Sequence, residues 1–359
     1  MALKVMVVDD TIFYRKIIKD ILNSLPDIEV VGTVNSGLLA INRIPDLRPD
    51  VITLDVEMPG MNGLQVLEMI REKKIDVTCI MVSSKTQEGS EATVKALELG
   101  AFDFVAKPDD DTTTGNVEFL TNALGKILGL ISRQQNFKRK LNQLPSRLSE
   151  PEKVSGSVPL INRPFDRTEK SAAVAIGIST GGPNALAQVL PELPADINVP
   201  IFLVQHMPPL FSASLAKSLD KKCRLTVKEA VDGEKILPNT VYLAEGGKQM
   251  KVASGPGLSK MIRITDDPPE NNCKPAADYL FRSVAREYGS KSTCVIMTGM
   301  GNDGKLGVSV NRAAGGFIIA QNAETSVVYG MPKAIVDAGL ADIVAPLDNI
   351  AEEIMKTLR

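Results

Sequence analysis

Through residues 1–125, short apolar runs closed by polar residues alternate with longer segments in which apolar positions recur at helical spacing. Apolar, β-branched runs predict strands at 4–8, 29–34, 50–54, 78–82 and 103–106. Amphipathic segments such as 12–25 and 64–73 predict helices between them. Repeated βα units of this kind predict an α/β fold with a doubly wound, five-stranded parallel sheet. From 116 to 144 the pattern turns helical and becomes basic, with Lys138-Arg139-Lys140, and from 145 to 171 it is polar, aperiodic and Pro/Ser-containing, as in a flexible linker. Alternation resumes at Ala172. Strand-like runs at 174–178, 200–205, 240–244, 292–298 and 316–320, mostly followed by helical runs, predict a second doubly wound α/β domain with a mostly parallel sheet.

Charge sharpens these boundaries. Residues 1–125 carry 12 Lys and Arg against 20 Asp and Glu, 126–170 carry 10 against 4, and 171–359 carry 19 of each. An acidic block, a basic connector and a neutral block place the domains at 1–125 and 171–359, joined by a helical, basic linker at 126–170. The overall net charge of −2 gives the whole chain no pull toward nucleic acid or a membrane surface. Trp is absent and aromatics are 4% of the chain, so the cores are built of Ile, Val, Leu and Ala. Cys79, Cys223, Cys273 and Cys294 form no C-x-x-C pair, which argues for a reducing compartment without a disulfide framework or zinc site. Asp9 and Asp10 follow the first apolar run too closely for a signal peptide, and no apolar stretch approaches the ~18 residues of a membrane helix. The expected location is the cytoplasm.

Candidate chemistry gathers at predicted strand ends. Asp9 and Asp10 end the first strand, Asp55 the third, Ser83 and Ser84 the fourth, and Lys107 with Pro108 the fifth. In an open parallel sheet these ends share one edge, where ligands bind. Strand-end Asp and Ser also serve as helix caps. Three crowded carboxylates, however, call for a hard cation such as Mg²⁺, and a nearby lysine and hydroxyl suit phosphoryl oxygens. Val-Val-Asp9-Asp10, Asp55-Val-Glu-Met-Pro-Gly-Met-Asn-Gly63, Val-Ser83-Ser84 and Ala-Lys107-Pro108 resemble the response-regulator receiver domain, a flavodoxin-like fold. The resemblance implies that Asp55 accepts the phosphoryl group and that Asp10, Asp55 and the Glu57 carbonyl bind Mg²⁺, with Asp9 assisting through water. It makes Ser83 and Lys107 sensors of the phosphoryl group and Phe104 the switching aromatic.

The second domain holds the only histidine of the chain, His206, at the end of the run 200–205. Any imidazole proton transfer near neutral pH falls to it. Ser179 lies in Gly177-Ile-Ser-Thr-Gly181, a G-x-S-x-G turn between a strand and a helix, and Asp303 lies in Gly301-Asn-Asp-Gly304. A serine nucleophile needs a base and the base needs an orienting group, so these three form a candidate triad. Their order, Ser then His then Asp, is not that of an α/β-hydrolase. A competing pattern is Gly299-Met-Gly-Asn-Asp-Gly304, a G-x-G-x-x-G run after a strand with Glu324 about 20 residues on, as in a dinucleotide site. Asp303 would then sit beside the pyrophosphate, which the electrostatics disfavour.

Ile-Gly-Ile-Ser179-Thr-Gly-Gly-Pro183, Val-Gln-His206-Met-Pro, Thr-Gly-Met-Gly-Asn-Asp303-Gly and Tyr-Gly-Met-Pro332 together resemble the chemotaxis response-regulator protein-glutamate methylesterases, the CheB family. That resemblance implies a Ser179–His206–Asp303 triad, Thr180 beside the nucleophile and the Met300 N–H in the oxyanion hole. It implies a phosphorylation-activated esterase that needs no cofactor of its own. The implied enzyme removes glutamate γ-methyl esters from methyl-accepting chemoreceptors, deamidates receptor glutamines, and receives phosphate from a sensor histidine kinase of the CheA type. Neither nucleic acid nor membrane insertion is expected. The chain departs from the family at 244–249, which lacks the usual Pro and His, and at Cys273 and Ala276, where His and Ser are common. A non-enzymatic signalling adaptor and an esterase acting outside chemotaxis are the other readings.

Overall fold

A computed structural model of the chain describes residues 2–108, 114–142, 169–257 and 259–359. The chain divides into two compact units, Met1–Ser157 and Val158–Arg359. The expected linker falls largely on 143–168, outside the described residues.

In the first unit, β1 (Leu3–Val8), β2 (Ile28–Val34), β3 (Val51–Asp55), β4 (Thr78–Ser83) and β5 (Asp103–Ala106) alternate with α1 (Ile12–Ser24), α2 (Gly37–Leu47), α3 (Gly63–Glu72), α4 (Gln87–Glu98) and α5 (Thr114–Asn142). The strands pair in parallel in the order β2-β1-β3-β4-β5. The expected doubly wound five-stranded sheet is borne out. β1 and β3 read as near-continuous apolar runs because helices cover both faces of such a sheet, and Val5, Val7 and Val51 are fully buried. Connections leave in opposite directions between β1 and β3, so a crevice opens at their carboxyl ends. α3 begins at a capping box in which Asn62 and Gln65 exchange side-chain and backbone hydrogen bonds, which fixes the loop after Asp55.

The second unit is built on seven parallel strands: β6 (Ala173–Ile178), β7 (Ile201–Gln205), β8 (Thr226–Glu229), β9 (Thr240–Leu243), β12 (Ser292–Ile296), β13 (Phe317–Gln321) and β14 (Ile343–Ala345). Their order is β14-β13-β12-β6-β7-β9-β8. β10 (Gln249–Ser254) and β11 (Lys260–Thr265) form a separate antiparallel hairpin. The expectation of a mostly parallel sheet holds; β8, β14 and the hairpin are additions to it. β6 is the first strand in sequence and lies at the centre, with later strands added on both sides, so the switch point falls between β6 and β12. The helices that bear on the site are α6 (Gly182–Val189), α7 (Phe211–Asp220), α8 (Ala277–Tyr288) and α9 (Lys305–Ala313), with α10 (Met331–Asp337) and α11 (Ile350–Leu358) completing the layers. Gly177 in β6 lets α8 come close, since a Cβ there would stand 2.8 Å from the Ala277 Cβ. No helix among the described residues is long and apolar enough to cross a membrane.

Candidate functional site

At the crevice of the first unit, Asp9 and Asp55 are buried, Asp10 is half-buried, and a ligand oxygen of each lies within 4.8 Å of the others. Lys107, just beyond β5, reaches between them, its Nζ standing 2.8 Å from Asp9 Oδ2 and 2.7 Å from Asp55 Oδ2. Burial pushes the Asp55 carboxyl up to about 6 against the pull of Lys107, and the Asp9 charge adds to the rise. Glu57 is exposed, and its N–H donates to Asp55 Oδ1 at 3.3 Å. The Lys107 ammonium also lies over the Tyr14 ring, 4.5 Å from its centroid. Hard oxygen donors repelling one another at this spacing fit a divalent cation such as Mg²⁺. Ser83 closes β4, but its hydroxyl donates to the Gly89 carbonyl at 3.2 Å, inside its own loop. Phe104 is half-buried in β5, in register with Met81.

In the second unit the three candidate residues leave adjacent strands. Ser179 follows β6, His206 follows β7, and Asp303 sits in the loop between β12 and α9. The β6–β7 ladder runs on into the site, because the His206 N–H donates to the Ile178 carbonyl at 3.1 Å. His206 Nε2 and Asp303 Oδ2 are 2.7 Å apart. The other ring nitrogen, Nδ1, faces Cys273 Sγ at 3.6 Å, and Ser179 and His206 make no hydrogen bond to each other. Burial works against a charged imidazole here, yet the hydrogen bonds to Asp303 and Cys273, with the Asp303 charge, outweigh it and push His206 up to about 9.

Asp303 is held as an anion. Burial opposes its charge, but the His206 contact and neighbouring N–H groups pull its carboxyl below the usual range. Its oxygens accept from Ala277 N at 2.6 Å, Asp278 N at 3.1 Å and Gly304 N at 3.0 Å, and from Asn271 Nδ2 at 3.1 Å. Ala277 and Asp278 open α8, so the carboxylate occupies the positive end of that helix. Asp303, held as a buried anion with the Gly304 N–H at 3.0 Å, puts negative charge where the dinucleotide reading of Gly299–Gly304 would seat a pyrophosphate, and so disfavours that reading.

The serine turn is tightly built. Gly181 has φ +79°, in the left-handed region that favours glycine, and caps α6. Gly299 approaches so closely that a Cβ would stand 2.7 Å from the Ser179 Cβ, which brings the Met300 peptide beside the serine. Met300 is exposed, and its N–H donates to no group among the described residues. Thr180 is half-buried, and its carbonyl accepts from the Thr298 hydroxyl at 2.9 Å.

Sequence reasoning passed over three residues that shape this site. Gln205 is buried and donates its amide N–H groups to the carbonyls of both Ser179 and His206 at 3.1 Å, clamping the two turns together. Thr298 ties the serine turn to Val328, and Asn271 bridges Asp278 and Asp303. Cys273, read in the sequence as a departure from the family pattern that leaves the triad untouched, in fact faces the imidazole at 3.6 Å, because its turn folds back over the end of β7. For Gln205 the signal was a polar residue ending an otherwise apolar strand; the others lie in loops whose neighbours are far away in sequence.

The sequence profile of the CheB methylesterase family matches residues 174–354, and that of the response regulator receiver domain matches residues 5–116. The protein-glutamate methylesterase/protein-glutamine glutaminase of Desulfotalea psychrophila is 50% identical over 360 residues, covering 99% of this chain and 99% of the relative. That of Thermotoga maritima is 40% identical over 359 residues, covering 99% of this chain and 98% of the relative. The crystal structure of the Thermotoga maritima CheB methylesterase catalytic domain aligns with a TM-score of 0.51 at 41% identity, over 52% of this chain and 99% of that one. With near-complete coverage at this identity, and with both domain profiles in the same order, the chain belongs to the family of protein-glutamate methylesterases/protein-glutamine glutaminases.

Proposed function

We propose that the chain is a phosphorylation-activated serine esterase of bacterial-type chemotaxis signalling. It hydrolyses γ-methyl esters of glutamyl residues on chemoreceptors, releasing methanol, and converts receptor glutamines to glutamates through a similar tetrahedral intermediate. The single observation that carries the reading is the 2.7 Å pairing of His206 with a helix-stabilised Asp303, at the sheet edge where Ser179 emerges. Ser179 Oγ attacks the ester carbonyl. His206 takes the serine proton at Nδ1, since Nε2 is committed to Asp303, and returns it to the departing methoxide. The Met300 N–H donates to the developing oxyanion, with Thr180 shaping the turn beside the nucleophile. Water then cleaves the acyl-enzyme by the same route.

In the receiver, Asp55 is the phosphoacceptor. Asp10, Asp55 and the Glu57 carbonyl would hold Mg²⁺, with Asp9 acting through water; the cation would supply charge neutralisation for the incoming phosphoryl group. Lys107 and Ser83 then engage the phosphoryl oxygens, Ser83 after leaving its bond to Gly89, and Phe104 reports the change. The phosphodonor is a histidine kinase of the CheA type, and the working compartment is the cytoplasm.

Methanol release from methylated chemoreceptor, with and without a small phosphodonor plus Mg²⁺, tests both halves. Release should rise with the phosphodonor in the parent and should not rise in Asp55→Asn. A rise that survives in Asp55→Asn would remove Asp55 as the switch, and no release from any methylated receptor would remove the esterase.

The pH dependence follows from the ring environment. His206 must be neutral to act as base. Asp303 and Cys273 face the ring, with Asp278 behind Asp303 through Asn271, and they hold the proton on until about pH 9. kcat/KM should therefore climb about tenfold per pH unit between 7 and 8 and level off above 9. A midpoint near the ordinary imidazole value would show that the Asp303 and Cys273 field does not act on the working base.

A further inference from the structure

His206 serves two side chains, and only one of them belongs to the esterase. Cys273 Sγ lies 3.6 Å from Nδ1, while Asp303 holds Nε2 on the far side of the ring. That is a sulfur nucleophile, a base and an orienting carboxylate in line, the arrangement that activates a cysteine. Its placement is built rather than incidental. Cys273 closes a tight turn in which Glu270 and Cys273 exchange backbone hydrogen bonds at 3.1 and 2.7 Å. Asn271 and Asn272 occupy the centre of the turn with φ of 51° and 58°. Arg282 anchors the turn through a two-pronged contact with Glu270, and Asn271 ties it to Asp303 and Asp278.

The other three cysteines are unlike it. Cys79 and Cys294 are buried, and burial pushes both thiols up. Cys223 is half-buried, and burial together with Asp220 pushes its thiol up to about 11. Cys273 is half-buried, and it alone has a ring nitrogen to take its proton.

We propose that Cys273 is a His206-activated thiol, a modification site at which a peroxide switches the esterase off. The thiol proton passes to Nδ1 and the sulfur attacks one oxygen of the peroxide. The O–O bond breaks, and the leaving hydroxide takes the proton from the imidazolium and departs as water. Sulfur is oxidised by two electrons to the sulfenic acid and hydrogen peroxide is reduced. The new S–OH stands against Nδ1, where it holds the nitrogen that the esterase reading assigns to the serine proton. A thiol reductant reverses the modification.

The test uses the full chain. Iodoacetamide labelling at pH 9, where the ring gives up its proton, mapped by peptide mass, should modify Cys273 about 100-fold faster than Cys223, the lower end of what a positioned base contributes. His206→Gln should remove that advantage while leaving the Cys223 rate unaltered, which also shows that the fold is kept. Hydrogen peroxide should abolish methanol release by the parent in step with sulfenic acid at Cys273, and the activity of Cys273→Ser should resist the same treatment. Cys273 labelling no faster than Cys223, an advantage that survives His206→Gln, or a Cys273→Ser variant as peroxide-sensitive as the parent would each overturn the proposal. The activity arm rests on the esterase reading, whereas the labelling arm does not. Failure of methanol release with fast, His206-dependent labelling would therefore remove the esterase and keep the thiol.

Discussion

Ser179→Ala is expected to lower kcat for methanol release by about 10⁴-fold or more, the scale of losing the nucleophile from a serine triad. What remains would come from the Met300 N–H and substrate binding alone, and KM should change little because the hydroxyl contributes to bond-making rather than to holding the receptor helix. The fold should tolerate the change. Ser179 is positioned through its backbone, its N–H donating to Thr298 at 2.9 Å and its carbonyl accepting from Gly182 at 2.7 Å and Gln205 at 3.1 Å, so the turn survives loss of the hydroxyl. Phosphodonor-dependent labelling of Asp55 should continue in the same variant. Methanol release within tenfold of the parent would mean that another group attacks the ester.

Asp303→Asn is expected to cost about 10⁴-fold in kcat, for a reason that can be traced atom by atom. Asp303 Oδ2 now accepts both from Ala277 N at 2.6 Å and from His206 Nε2 at 2.7 Å, while Oδ1 accepts from Asp278, Gly304 and Asn271. A carboxylate can receive from all sides; an amide cannot. If the amide nitrogen takes the Oδ2 place, it confronts the Ala277 N–H donor to donor and forces Nε2 to accept, so the ring proton moves to Nδ1 and the base is lost. If it takes the Oδ1 place, it confronts the Asp278 and Gly304 N–H groups instead. At least one buried donor then loses its partner, at about 1–3 kcal/mol each, and the α8 N-terminus loses its counter-charge. Kinetics and thermal unfolding of Asp303→Asn should both report this, the first by a large drop in kcat and the second by a lower Tm. A variant with unchanged Tm and a rate within tenfold of the parent would show that the Asp303 charge is not what holds the ring.

Much of the site was legible because strand ends are legible. The closing residues Asp9, Asp55, Ser83, Lys107, Ser179 and His206 were visible as polar residues ending apolar runs, and parallel winding brings such ends to one edge. The hairpin of β10 and β11 was also written in the chain as alternation on either side of Ser254-Gly-Pro-Gly257, but it lies outside the βα rhythm that guided the reading. β14 is only three residues long, and β8 ends the sheet with mixed burial, so neither makes a strong apolar run.

The chain by itself determined the two α/β units, their parallel sheets and the residue types at the ligand-binding edges, because periodicity and strand-end polarity are local properties of the covalent sequence. Only the tertiary structure decided what each group faces. It set Lys107 between Asp9 and Asp55, put Asp303 at the mouth of α8, gave Gln205 the two turns to clamp and laid Cys273 against the imidazole. These contacts join residues separated by up to 98 positions, as Lys107 is from Asp9, and no local pattern encodes them. They arise because burial of the sheet faces leaves the loops at one edge nowhere else to close, and close packing then fixes which hydrogen-bonding groups meet.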